Sequence, residues 1–136
     1  MHSTNYYNSL ITVAPDCKAT YGIAPKENPD KLSIANYHFF LINQHAGEWD
    51  SDELIFQTYA RRNDLLPTEY ASAKAQFFAK GQACLRCSPL CKTHGWGIYS
   101  DAQGKITLID SASDAYEKML QDESIKKIPA MRSSKK

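Results

Sequence analysis

Three of the chain's four cysteines and one of its four histidines fall within eleven residues, Cys84-Leu-Arg-Cys-Ser-Pro-Leu-Cys-Lys-Thr-His94, directly before Gly95-Trp-Gly-Ile-Tyr99. Such a cluster admits three readings: a metal site, a reactive thiol, or small apolar side chains that pack. A zinc site would draw on Cys84, Cys87, Cys91 and His94, since zinc takes four N or S ligands in a tetrahedron and Cys-x2-Cys is its usual half-site. Against this, two half-sites normally face each other across an intervening loop. A strand through 83–87 would also send Cys84 and Cys87 to opposite faces. Packing by small apolar thiols is therefore the favoured reading. No cofactor is predicted, with zinc as the alternative.

Thiol catalysis would need an activating helix N-terminus or cation. Cys87 directly precedes Ser88-Pro89, a helix-start pair, and Arg86, Lys92 and His94 are close in sequence. The candidate catalytic set is thus Cys84, Cys87, His94 and Arg86, with His94 as the base of a minimal acyl-transfer or redox arrangement. Spacing identifies no acid or amide to orient His94. A Cys17–Cys84 disulfide is disfavoured in a reducing compartment.

A second constellation joins the segment Thr4-Asn-Tyr-Tyr-Asn8 to scattered cations and an aromatic. Tyr6, Asn8, Arg61, Arg86 and Trp96, with Arg62, are candidate ligand-binding residues, because aromatic faces and guanidinium groups hold planar or anionic partners. The competing and favoured reading is that Tyr6 and Tyr7 pin the terminus to the core. His38, within the first helix, and His45, at its end, likewise read as structural, His45 through the helix dipole. Asp50, Asp52 and Glu53 fit an element start better than a metal cage. No phosphate-binding glycine loop, HExxH, GxSxG or dinucleotide fingerprint occurs.

The elements that must position these residues follow from pattern. Ser9 to Val13 reads as a strand. Asn28-Pro-Asp30 reads as a helix start, with Leu32, Ala35, Phe39 and Ile42 as the apolar stripe and Gly47 as the stop. Residues 54–61 are ambiguous between strand and helix. Alternating Leu54, Phe56 and Thr58, and the β-propensity of Ile, Phe, Thr and Tyr, favour a strand. Pro67 to Lys80 reads as a helix, Ala83 to Cys87 as a strand, and Ser88-Pro89 as the start of one short helical turn closed by Gly95. Trp96 to Ser100 and Lys105 to Asp110 flank Asp101-Ala-Gln-Gly104, a hairpin signal. A helix capped by Ser111 and carrying Tyr116 follows.

The expected fold is α+β: one domain over residues 1–125, with a mainly antiparallel sheet of about five strands, three helices and a C-terminal hairpin–helix unit. Residues 126–136 are expected to form a basic, flexible tail. That tail holds five basic and no acidic residues, leaving 11 basic and 15 acidic for the rest, so a net charge of +1 divides into +5 and −4. A near-neutral to acidic body argues against a dedicated nucleic-acid module, although the tail can touch phosphates weakly. The longest apolar run, Phe39 to Ile42, is four residues, too short to span a bilayer. The N-terminal residues show no signal-peptide pattern, so a cytoplasmic setting is the expectation.

With the segments placed, the chain resembles an uncharacterised family of small proteins of unknown function. The resemblance rests on Thr4-Asn-Tyr-Tyr-Asn8 with Leu10-Ile11, Asp16-Cys17, Asp52-Glu-Leu-Ile-Phe56, Phe77-Phe-Ala-Lys-Gly-Gln82, Cys84-Leu-Arg86 with Ser88-Pro-Leu90, Gly95-Trp-Gly-Ile98, Gly104-Lys105 and Ala130-Met-Arg-Ser133. It implies no activity. Cys87 and Cys91 stand where that family often carries Ala and Thr, so it implies no family-wide metal site. More distantly, the Trp96 hairpin followed by the Tyr116 helix is similar to the end of YjbR-type domains, a small α+β fold, which bears on fold only. The functional expectation is a non-catalytic binding or interaction module for a protein, a small anion or, through the tail, nucleic acid. The alternatives are a thiol enzyme or redox protein using Cys84 or Cys87 with His94, and a small zinc protein.

Overall fold

The first strand, β1 (Ser9–Thr12), carries Leu10 and Ile11, both buried, so it lies inside the sheet rather than at its edge. The structure, a computed structural model, describes residues 2–133. Further elements are α1 (Ile34–Gln44), α2 (Ser51–Arg62), α3 (Tyr70–Phe77), α4 (Pro89–Lys92), β2 (Trp96–Ser100), β3 (Ile106–Asp110), α5 (Asp114–Gln121) and β4 (Lys126–Pro129). Single 3-10 turns occupy Pro67–Glu69 and Leu85–Cys87. The sheet order is β3-β2-β1-β4, antiparallel across the first two pairings and parallel between β1 and β4.

This is a mixed α+β domain, but the described residues form four strands and five α-helices, not about five strands and three helices. Residues 54–61 are helical, not a strand. Asp50 caps α2 by accepting the Glu53 amide at 2.8 Å, with Asp52 and Glu53 in the first turn and Arg61 and Arg62 in the last. That charge placement complements the helix dipole at both ends. The alternation that resembles a strand has a packing cause. Leu54 belongs to the main core, whereas Phe56 and Ala60 belong to a second cluster with Phe78, so α2 is buried on more than one side.

Residues 83–87 are likewise not a strand. The Cys87 amide donates to the Cys84 carbonyl at 3.0 Å, closing a 3-10 turn. Helix α1 starts later than Asn28-Pro-Asp30, which instead forms a tight turn in which the Asp30 amide donates to Asn28 Oδ1. A reciprocal capping box of Ser33 and Asn36 starts the helix, worth about 1 kcal/mol. Ser113, rather than Ser111, caps α5.

Ile11 and Ile98, cross-strand partners, face the core shared with Leu41, Ile42 and Leu54. Gly97 points to the opposite face, where the Tyr116 ring of α5 lies so close that a Cβ would sit 2.8 Å from it. Of the segment read as a basic tail, Lys126–Pro129 pair with β1 as β4 and Ala130 is buried. Its last residues, 134–136, lie outside the described residues.

Candidate functional site

The chemistry-bearing segment 84–88 turns sharply because the 3-10 turn runs directly into α4, capped by Ser88 with Pro89 at its first position. Ser88 is buried, and its hydroxyl oxygen accepts the Leu90 amide at 3.3 Å. The same oxygen lies 2.9 Å from His38 Nδ1 of α1. Ser88 thereby joins the start of α4 to His38 of α1 through one buried hydroxyl. Burial pushes the imidazole down to about 4, so His38 is neutral near pH 7.

Between α1, α2 and this segment lies a cavity of about 320 Å3. Ile34 and His38 come from α1, Ile55, Thr58, Tyr59 and Arg62 from α2, Phe77 from α3, and Cys84, Leu85, Cys87 and Ser88 from the turn. Its walls are mainly apolar. Thr58 adds little polarity, because its hydroxyl donates back to the Leu54 carbonyl at 2.9 Å. Arg62 also lines two adjoining surface depressions. One holds Lys26, Lys31, His94 and the α1 N-terminus, and the other Lys31, Arg61, Asp30 and Asp64. A larger groove of about 890 Å3 between α2 and α3 is rimmed by Glu69, Ser72, Gln76 and Lys80 and holds none of the thiols or histidines.

The residues singled out from sequence separate into groups. Cys84 and Cys87 share the cavity wall, half-buried and exposed respectively. The Tyr6 hydroxyl lies 3.2 Å from Cys84 Sγ, and burial, followed by that contact, pushes the phenol up to about 12. Cys91 is wholly buried in the main core, where burial drives its thiol well above the usual range. His94 holds Nδ1 at 3.1 Å from the Pro89 carbonyl and faces the cationic groove. Cys84, Cys87, Cys91 and His94 therefore do not converge. Among the described residues, no group of three or more His, Cys, Asp or Glu side chains is placed to hold a metal ion. The donor set does not fit tetrahedral zinc.

The proposed ligand-binding set is also dispersed. Arg86 Nε donates to the Pro129 carbonyl at 2.8 Å, and its own carbonyl accepts the Met131 amide, so it fastens the C-terminal segment. Trp96 Nε1 donates to the Ile23 carbonyl, and its ring packs on Phe39. Asn8 adopts a positive φ of 49° at the entry to β1 and exchanges backbone bonds with Asp101 and Lys126. His45 stacks on Trp49 at 3.7 Å. Ser88, as the partner of His38, escaped the sequence reading because its capping role already accounted for it. Strand-like alternation over 54–61 conceals Ile55 and Thr58, which in the helix α2 both line the cavity.

The pattern of a family of unknown function, DUF6157, matches residues 1–136, and the chain belongs to that family. No curated protein and no solved structure is significantly similar to it, and likeness to YjbR-type domains is not shown.

Proposed function

For this member of a family without an assigned activity, we propose a non-catalytic binding module whose ligand has a small apolar body and an anionic head. The observation that carries this reading is the position of Arg62, which lines both the apolar cavity and the groove of Lys26, Lys31 and His94. The Arg62 side chain makes no hydrogen bond or ion pair among the described residues, and no acidic residue lines that groove. The α1 N-terminus, with no acid in its first turn, adds partial positive charge there. A cavity of about 320 Å3 is at the small end of ligand pockets, which fits a short-chain or single-ring carboxylate.

A cytoplasmic setting belongs to the same proposal. No helix among the described residues is long and apolar enough to cross a membrane, and the four thiols are unpaired. The basic segment 126–136 would then serve solubility or weak phosphate contact, with Lys126–Pro129 held in the sheet.

Titration calorimetry with octanoate, octan-1-ol and inorganic phosphate tests the reading. Octanoate should bind, the alcohol more weakly, and phosphate not at all. Arg62→Ala should weaken octanoate about five- to thirty-fold while leaving the alcohol nearly unchanged. Equal affinity of acid and alcohol, or no heat from either at millimolar concentration, would sink it.

A further inference from the structure

Cys84 and Cys87 are brought together by the fold in a way that packing alone does not require. The turn that joins them is closed by the Cys87 amide on the Cys84 carbonyl. Turns of this span hold their end Cα atoms less than about 7 Å apart. A disulfide needs a Cα separation of about 4.4–6.8 Å. Both residues line the same cavity, and both thiols add to burial in raising the pKa of the Tyr6 phenol, so they lie near one shared side chain. Neither is sealed in the core, unlike Cys91. The two also differ in surroundings. Cys87 is exposed, whereas Cys84 is half-buried with the Tyr6 hydroxyl 3.2 Å from its sulfur.

We propose that Cys84 and Cys87 form a redox-active dithiol that exchanges with low-molecular-weight disulfides, with Cys87 as the attacking thiol and Cys84 as the resolving one. The Cys87 thiolate attacks one sulfur of a small disulfide R–S–S–R. A Cys87–S–R bond forms, the S–S bond breaks, and one RS− leaves. The Cys84 thiolate then attacks Cys87 Sγ, forming the Cys84–Cys87 disulfide and expelling the second RS−. Two protein thiols are oxidised, one disulfide is reduced to two thiols, and the protons lost by Cys84 and Cys87 pass to the two leaving thiolates. Tyr6 is a positioning residue. Its hydroxyl remains protonated well above neutral pH and donates to Cys84 Sγ as charge develops there. The inference is independent of what the cavity binds.

The test incubates the full chain with oxidised glutathione, quenches with N-ethylmaleimide at intervals, and maps peptides by mass spectrometry. The expected result is transient glutathione on Cys87, followed by its loss as a Cys84–Cys87 disulfide accumulates and both residues become unalkylatable. Dithiothreitol should restore both. Cys84→Ser should trap glutathione on Cys87, and Tyr6→Phe should slow the second step several-fold while leaving the first unchanged. The wild-type peptide map decides the matter even if a variant folds poorly. Glutathione that persists on Cys87 while Cys84 stays alkylatable would overturn the proposal. So would a bond from Cys84 to Cys17, or no reaction at either thiol.

Discussion

Thr4 donates twice to one carboxylate oxygen of Asp52, from its amide at 2.6 Å and from its hydroxyl at 2.8 Å. Ser3 donates to the other oxygen at 2.8 Å, and Asn5 both accepts the Asp52 amide and donates to Asp50. The N-terminal segment is thereby strapped across the start of α2. Thr4 and Asp52 are both buried, so these bonds have little water to replace them.

Removing that carboxylate strands several donors. Asp52→Ala should cost about 2–4 kcal/mol, whereas Thr4→Val, which keeps the shape and the amide bond, should cost about 1–2 kcal/mol. Urea unfolding checks both. Equal and small losses would mean that the strap contributes little.

His38 makes stability pH-dependent. Its folded value of about 4 lies below the usual 6.5, so between those values the unfolded chain binds more protons than the folded one. The contribution is fully present above pH 6.5 and is lost progressively as pH falls toward 4, for a total of about 3 kcal/mol. Denaturation midpoints across this window, compared with His38→Gln, should show the wild-type slope reduced in the variant. Identical slopes would contradict a buried neutral imidazole.

Two glycines with positive φ should respond differently to alanine. Gly47, at φ 72°, faces open space, whereas a Cβ at Gly95, at φ 79°, would lie 2.1 Å from the Tyr21 carbonyl oxygen. Gly47→Ala should cost about 1–2 kcal/mol from backbone strain alone. Gly95→Ala should cost clearly more, because it must also displace the loop over the hairpin. Thermal denaturation of the pair checks the order.

The thiols should separate by accessibility. Iodoacetamide at neutral pH should modify Cys87 first, and Cys91 only after unfolding, since Cys91 is fully buried. Peptide mapping reads the order directly. Rapid native labelling of Cys91 would mean that the core around α4 opens readily.

The parts of the fold legible from sequence are those set by local chemistry. Gly104 supplies the positive φ of the β2–β3 turn, and Asp101 accepts the amides of Gln103 and Lys105. Ser88-Pro89 starts α4 as the cap and first position predict. What failed depended on tertiary neighbours. Helix α2 is buried on more than one side, which mimics the period of a strand. Helix α1 begins at Ser33 because Asn36 completes its capping box and donates to the Lys26 carbonyl. Strand β4 was hidden because Lys126-Lys-Ile-Pro129 carries one apolar side chain and needs only the open edge of β1. Of the site, the Cys84 and Cys87 pair is legible in sequence, but the turn that joins them is not, because 83–87 reads there as a strand. The cavity is not legible either, because it forms only when α2 is a helix that carries Arg62 beside Ile55.

The most direct test of the binding reading is a methyl and amide NMR titration of the full chain with octanoate. Saturable shifts confined to Ile34, Ile55, Leu85 and the amides around Arg62, lost in Arg62→Ala, are the predicted result. Shifts centred elsewhere, such as the α2–α3 groove around Glu69 and Lys80, or no shifts at millimolar ligand, would contradict it.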